Sequence, residues 1–362
     1  MKIIVSGGGT GGHLSVASAF IEEFHERGWE CLFVGSQNGQ DKMYFEKDSR
    51  IKEKIFLQTC GVVNQKGLHK FQSLFAHFKA LKEVLKILQA QKPDFVFSVG
   101  GYSAAPMAFG AVLTHTPLFI HEQNAKIGRL NRALKGFAKI FFSSYEAKSP
   151  CKFYPTKQEF FDKARVRSEI KNILFMGGSQ GARAINHYAL SLAEALHTRG
   201  FKIFHQCGQK ELESLQEQYR NLPLKLRVFE EMCREDLKIQ DFDVGLFGFS
   251  KVMPDVMQLC DMAVCRAGAS SLWELCANGI PALFVPYPYA AGNHQYFNAK
   301  FLEEKQLGFL CEEKELYDET LWSVLEVLQE ENNLRKISQA LQEECSSSAV
   351  YQMVELMLES LR

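Results

Sequence analysis

The chain has 362 residues, with 42 basic and 42 acidic side chains and a formal net charge of zero. That length is more than one hydrophobic core usually serves and favours two domains. The balanced charge excludes bulk attraction to nucleic acid, so no nucleic-acid partner is expected. Lys2 runs directly into strand-like Ile3-Ile4-Val5, which leaves no room for a secretory leader, and nothing approaches the roughly 18–20 apolar residues of a spanning helix. A soluble or peripheral protein is expected. Ten cysteines lack CxxC pairs and zinc-like spacing; Cys31, Cys207 and Cys265 lie in or beside apolar runs and read as reduced, buried thiols.

In chain order, apolar runs alternate with helical patterns, the signature of an α/β fold with parallel sheets. Strands are predicted near Ile3–Ser6, Glu30–Val34, Phe95–Val99, Leu118–His121 and Ile140–Phe142, and helices over Leu14–Arg27, Leu68–Ala90, Ala104–Leu113 and Ile127–Leu134. A charged stretch with Pro150 and Pro155, Ser149–Glu169, reads as a connection. Further strands follow near Ile173–Met176, Lys202–His205, Lys225–Phe229, Met262–Cys265, Ala282–Val285 and Leu307–Leu310. Helices are predicted at Ala184–Thr198, Ser271–Asn278, His294–Glu304, Leu316–Glu330 and Tyr351–Leu361. This gives a Rossmann-like domain over 1–150, a linker over 151–170, a second Rossmann-like domain over 171–345, and a closing helix in 346–362 that packs back on the first domain. The two sheets are expected to face each other across a cleft.

The same device occurs twice. MKIIVSGGGTGGH opens the chain and KNILFMGGSQGAR opens its second half, each a strand-like run feeding a glycine-rich turn and then a helix. Glycine permits close backbone approach, and a helix N-terminus offers unpaired N–H groups to phosphate. Gly7, Gly9 and Gly12 satisfy GxGxxG, but the second strand ends Val34-Gly35-Ser36-Gln37 without the acid a dinucleotide ribose needs. His13 follows the glycines at a helix start, where the dipole favours neutral imidazole, a form able to accept a proton. A histidine that only hydrogen-bonds the loop is the alternative.

Gly100-Gly101-Tyr102-Ser103 and His121-Glu122-Gln123-Asn124 follow two more strand ends; Glu122 and Asn124 either bind ligand or brace loops. The turn Gly177-Gly178-Ser179-Gln180-Gly181 lacks a P-loop lysine, which argues against nucleotide hydrolysis. Cys265–Ser271 enters a further helix. Glu274 there either accepts both ribose hydroxyls or completes a capping box with Ser271. His294-Gln295 offers sugar contacts. On the helix from Leu68, Leu74, Phe78, Leu81, Leu85 and Leu88 read as the core stripe. Phe71, Phe75, Lys79, Lys82 and Lys86 form an adjoining ridge suited to an anionic membrane surface, or else a solvated face.

Taken in order, GGGTGGH, GGYSAAP, HEQN, GGSQGAR, CRAGASSLWE and ALFVPYP closely resemble the motif series of the bacterial peptidoglycan glycosyltransferase family that makes lipid II. The resemblance runs through nearly the whole chain. It implies a GT-B fold and transfer of N-acetylglucosamine from UDP-N-acetylglucosamine to lipid I, at the cytoplasmic face of the inner membrane. By position it makes His13 the base and places Thr10, Gly11 and Gly12 near the diphosphate and sugar. It makes Asn124, Ser179, Ala269, Glu274 and Gln295 donor-binding residues, sets Arg167 near the phosphates, and brings the Phe249–Ser250 backbone to the uracil. Val16 stands where the family usually has proline, Ala164-Arg165-Val166-Arg167 replaces its Asn-Pro-Val-Arg, and Asp241–Met253 diverges.

The expected reaction is inverting, with loop N–H groups and Ser179 stabilising departing UDP. Asp241-Phe242-Asp243 reads as a surface turn, so no obligate metal is predicted; no cofactor is implied. Two other readings stay open: a nicotinamide-dependent oxidoreductase, and a non-catalytic, membrane-docked nucleotide-sugar binder.

Overall fold

Six short runs form the first sheet: β1 (Lys2–Ser6), β2 (Glu30–Ser36), β3 (Glu53–Leu57), β4 (Phe95–Ser98), β5 (Leu118–Glu122) and β6 (Ile140–Ser143). Their order is β3-β2-β1-β4-β5-β6 and every pair is parallel. The crossovers carry α1 (Gly11–Glu26), α2 (Asp41–Phe45), α3 (Leu68–Gln91), α4 (Ala105–Leu113) and α5 (Arg129–Leu134). The computed structural model describes residues 1–59, 68–178, 181–238 and 241–362, and for 68–77 the backbone alone.

Side-chain alternation along the strands supplies both faces of this sheet. Ile4, Leu32, Val34 and Val96 pack with Val84 and Leu88 of α3 and with Met107, Ala108 and Ala111 of α4. On the opposite face Phe97 meets Phe20 of α1 at 4.1 Å between ring centroids, and Phe95 meets Phe24 at 5.9 Å. The buried line of α3 is Ala80, Val84 and Leu88, while Leu81 and Leu85 are half-buried. Phe78, expected in the core stripe, is instead 56% exposed, with the Lys82 ammonium 4.8 Å from its ring. The helix is thus rotated relative to the expected stripe. Lys79, Lys82 and Lys86 are exposed, whereas the side chains of Phe71 and Phe75 lie outside the described residues.

The second sheet contains β7 (Asn172–Met176), β8 (Lys202–Gln206), β9 (Leu226–Met232), β10 (Val244–Ser250), β11 (Met262–Cys265), β12 (Ala282–Phe284) and β13 (Phe309–Leu310). It is again all parallel, in the order β13-β12-β11-β7-β8-β10-β9. With it go α6 (Gln158–Asp162), α7 (Arg183–Thr198), α8 (Leu212–Arg220), α9 (Met253–Leu259), α10 (Ala269–Asn278), α11 (His294–Glu304), α12 (Asp318–Gln329) and α13 (Asn333–Glu343). Ile173, Phe175, Ile203, Leu246 and Val264 bury one face against Ile185, Ala189 and Leu192 of α7 and Leu321 and Leu325 of α12.

Contacts divide the chain into 1–157 with 347–362, and 158–346. The final helix, α14 (Ala349–Leu361), belongs to the first unit. It buries Met353, Val354 and Met357, and its Glu355 pairs with Arg27, the C-cap of α1, at 2.7 Å. The stretch expected as a linker is split after Lys157, and 158–170 is built into the second unit, with Phe160 buried. Asp241-Phe242-Asp243 is not simply a surface turn: Phe242 is buried, its ring 5.4 Å from Phe204 and 6.2 Å from Phe229.

Beneath the second sheet's carboxyl edge lies a closed polar network. The His205 imidazole meets Tyr219 Oη at 2.9 Å through Nδ1 and Asn186 Oδ1 at 3.0 Å through Nε2, and Asn186 Nδ2 donates to the Cys207 carbonyl at 3.0 Å. Because the amide nitrogen is already donating, Asn186 Oδ1 accepts, so Nε2 carries the proton and Nδ1 accepts from Tyr219. Burial depresses His205 from 6.5 to about 3. The folded state therefore binds fewer protons than the unfolded chain below pH 6.5. The stability this contributes is full above that value and is lost as pH falls toward 3. Acidification from pH 7 to 5 should cost the second unit on the order of 2 kcal/mol through this group. Urea denaturation at the two pH values should show the loss, and His205→Gln should show a shallower pH dependence.

Candidate active site

In a parallel sheet, connections leave toward opposite faces where the strand order reverses, and a crevice opens there beyond the carboxyl ends. That point lies between β1 and β4 in the first unit and between β7 and β11 in the second. At each, glycine-containing turns occur on both sides: Gly7–Gly12 with Gly100–Gly101, and Gly177–Gly178 with Gly268.

In the first unit the Gly8 amide donates to the Gly100 carbonyl at 3.2 Å. Gly101 has φ +81, and a Cβ there would strike the Gly8 carbonyl oxygen, so only glycine lets the two turns dock. Thr10 is the extended N-cap of α1, which places His13 in the first helical turn. Thr10 Oγ1 lies 2.7 Å from His13 Nδ1. Gly11 and Gly12 are half-buried on the same turn.

The HEQN segment divides its labour. His121 is buried against Tyr154, its ring pushed from 6.5 to about 3 chiefly by burial. Glu122 is buried too: its carboxylate accepts from Asn124 N–H at 3.0 Å, Gly128 N–H at 2.9 Å and Asn131 Nδ2 at 2.9 Å. It braces the following loop. Gln123 donates to the Val99 carbonyl at 2.9 Å, and only Asn124 of the four is partly exposed.

In the second unit, Gln206 holds the glycine turn from below: its Oε1 accepts from Gly178 N–H at 3.2 Å and its Nε2 donates to the Gly178 carbonyl at 3.2 Å. Sequence reasoning missed this residue, because a glutamine ending a strand carries no motif. Ser179 lies outside the described residues. Helix α10 begins at Ala269, with Gly268 as N-cap. Ser271 is thus inside the helix, which removes the capping-box reading and leaves the partly exposed Glu274 on the second turn. Arg266 fixes the neighbouring loop, donating to the Val285 and Pro286 carbonyls at 3.2 Å each, pairing with Glu313 at 2.6 Å, and lying over Tyr287. The Tyr287 N–H in turn donates to Gln295 Oε1 at 2.9 Å, which leaves the Gln295 amide NH2 for a ligand. Ser250 is buried, its hydroxyl donating to the Met232 carbonyl and accepting from Val252 N–H, so a ligand would meet its backbone.

Arg167 departs from expectation. Its side chain is fully buried, and all five N–H donors are spent inside the second unit. Nε donates to the Cys260 carbonyl, Nη1 to the carbonyls of Arg165 and Asn278, and Nη2 to the Met257 carbonyl and Asn278 Oδ1. Burial, with Arg165 alongside, pulls it down from 12.5 to about 9. Asn278 ends α10, so the clamp sits roughly 13 Å along the axis from Ala269, at 1.5 Å per residue. Arg167 neutralises carbonyls at the C-terminal ends of α9 and α10 and has no donor left for a phosphate.

Two all-parallel α/β units with glycine turns at their switch points are the architecture of GT-B glycosyltransferases. The glycosyltransferase family 28 N-terminal domain matches residues 3–143, and the family's C-terminal domain matches 172–353. The chain belongs to this family. The crystal structure of Acinetobacter baumannii MurG is similar with a TM-score of 0.77 at 26% identity, covering 99% of each chain. Two relatives are named UDP-N-acetylglucosamine–N-acetylmuramyl-(pentapeptide) pyrophosphoryl-undecaprenol N-acetylglucosamine transferase. That of Wolinella succinogenes is 48% identical over 90% of this chain and 92% of its own. That of Sulfurimonas denitrificans is 45% identical over 98% and 97%. The chain is a glycosyltransferase, and the oxidoreductase and non-catalytic alternatives fall.

Replacing the Arg167 guanidinium takes a donor from four carbonyls and from Asn278 Oδ1; the Cys260, Met257 and Asn278 carbonyls keep a second N–H donor from Arg165 or Cys260. Arg167→Met should destabilise the second unit by about 3–5 kcal/mol and leave the UDP affinity of the folded fraction unchanged. Denaturation and calorimetry together check this; a lost UDP affinity with stability intact would return Arg167 to the phosphates.

Proposed function

We propose that the protein transfers N-acetylglucosamine from UDP-N-acetylglucosamine to the C4 hydroxyl of the muramoyl residue of lipid I, forming lipid II for the cell wall. The observation that carries this reading is the match to relatives of that printed activity at 45–48% identity over 90–98% of the chain. The C4 oxygen attacks the anomeric carbon while the C1–O bond to the diphosphate breaks, its electron pair leaving with UDP, and the configuration inverts. His13 accepts the C4 proton through Nε2. That role requires Nδ1 to carry a proton and donate to Thr10 Oγ1, a pairing compatible with their 2.7 Å separation.

The departing diphosphate meets the α10 N-terminus, with Ser179 and Ala269, in a helix-dipole field suited to anions. Glu274 takes the ribose hydroxyls, Gln295 offers its amide NH2 and Asn124 its side chain to the sugar, and the Phe249–Ser250 backbone reads the uracil. Thr10, Gly11 and Gly12 lie near the diphosphate and sugar, and the first unit takes lipid I.

The first unit works at the cytoplasmic face of the membrane, peripherally. Supporting this, Phe78 is exposed with Lys82 beside it, and Phe109 and Leu113, one turn apart on α4, are 43% and 60% exposed. Phe71, Phe75, Phe78, Lys82 and Lys86 follow helical spacing along one ridge, with Lys79 adjoining. No described helix is long and apolar enough to cross a membrane.

UDP release should require both UDP-N-acetylglucosamine and a lipid I analogue; release without the acceptor, or none with it, would refute transfer. His13→Ala should lower turnover by roughly two to four orders of magnitude while UDP still binds. Glu274→Ala should weaken UDP about ten- to hundredfold, the worth of charged hydrogen bonds of roughly 1.5–3 kcal/mol.

For the membrane, each lysine contributes about 1 kcal/mol near an anionic surface. Phe78→Ser with Lys82→Glu should therefore reduce flotation with anionic vesicles, more at low salt than high, while activity on a soluble short-chain acceptor persists. Unchanged flotation would move the docking surface elsewhere.

A further inference from the structure

Asp41 opens α2, and its side chain is fully buried. Oδ1 accepts from Gly9 N–H at 2.5 Å, and Oδ2 accepts from Ser36 N–H at 2.8 Å. The carboxylate fills the space beneath the first glycine turn: a Cβ on Gly8, whose φ is +150, would lie 2.6–2.7 Å from its atoms. Among the described residues it has no ion pair. Burial pushes the carboxyl up while the Ser36 and Gly9 amides pull it back down. A buried charge without a counterion costs several kcal/mol, so its retention needs a reason.

The amides of the turn supply one. Gly8 N–H goes to the Gly100 carbonyl and Gly9 N–H to Asp41, so both are spent within the protein. A phosphate cradle would present these amides outward; here an anion holds them from inside. Three residues beyond Thr10 stands His13, its Nδ1 2.7 Å from Thr10 Oγ1.

We propose that Asp41 is a positioning residue of the transfer reaction: by anchoring Gly9 it fixes the entry of α1 and so the place of Thr10 and His13. The proposal rests on the transfer reading given above, and its first test does not.

The Gly9 amide proton should resonate downfield in the wild-type protein relative to Asp41→Ala, as loss of a hydrogen bond to the carboxyl demands; equal shifts would overturn the proposal whether or not the chain transfers sugar. Asp41→Ala should lower kcat about ten- to hundredfold, the range a misplacement near 1 Å produces. The KM for UDP-N-acetylglucosamine and the UDP affinity should hold. Added formate, which fits the vacated carboxylate site, should restore kcat. Unchanged kcat would overturn the proposal, and so would a loss that formate leaves untouched while UDP binding falls in parallel. Should Asp41→Ala fail to fold, Asp41→Asn keeps the shape, turns an NH2 toward one of the two amides, and gives the same kcat and Gly9 readouts. Absence of transfer by wild type refutes the transfer reading and leaves the Gly9 resonance to judge the anchor.

Discussion

Every strand in both sheets runs parallel to its neighbours, and a parallel pair cannot be closed by a tight turn. This constraint organises the molecule. Each connection crosses a face of the sheet, so both faces are covered and the strands read as continuous apolar runs. All carboxyl ends collect at one edge of each sheet, where turns need not continue a ladder and can carry polar groups. The crevice at each switch point follows from connectivity, before any catalytic residue is chosen.

The two units hold the turns at their switch points with different chemistry. In the first, the Asp41 carboxylate takes the Gly9 amide, and the Gly100 carbonyl takes that of Gly8. In the second, the neutral Gln206 side chain both donates to and accepts from Gly178.

The strands with β-branched and aromatic runs were legible in the chain, as were the glycine turns, because both carry local signals. What stayed hidden has local causes too. Strand β3 starts Glu53-Lys54 at a sheet edge, β10 is interrupted by Gly245 and Gly248, and α8 buries only Leu212, Leu215 and Tyr219 among polar neighbours. The spacing predicts the extent of α3 to within one residue but not its rotation. Ala80 and Val84 face the core and Phe78 faces out, and Gly110 of α4, where a Cβ would strike Val84, lets the two helices pack closely. Within the candidate site, Thr10 and His13 could be read from the glycine motif, but a motif names residues without saying which end of a helix they serve. Arg167 was for that reason set near phosphate, whereas it closes the C-terminal end of α10. Asp41 escaped because its partners are backbone amides, which no side-chain pattern announces.

Helix α14 carries a consequence for biosynthesis. Residues 347–362 complete the first unit, with Met353, Val354 and Met357 buried and Glu355 on Arg27, yet they follow all of 158–346 in the chain. At 5–20 residues per second, the nascent first unit waits roughly 10–40 s for them on the ribosome. During that interval it shows the apolar strip that α14 later covers. A chaperone that recognises exposed hydrophobic surface has its opportunity then, and a chain broken off before residue 347 leaves its amino-terminal unit, not merely its tail, unfinished.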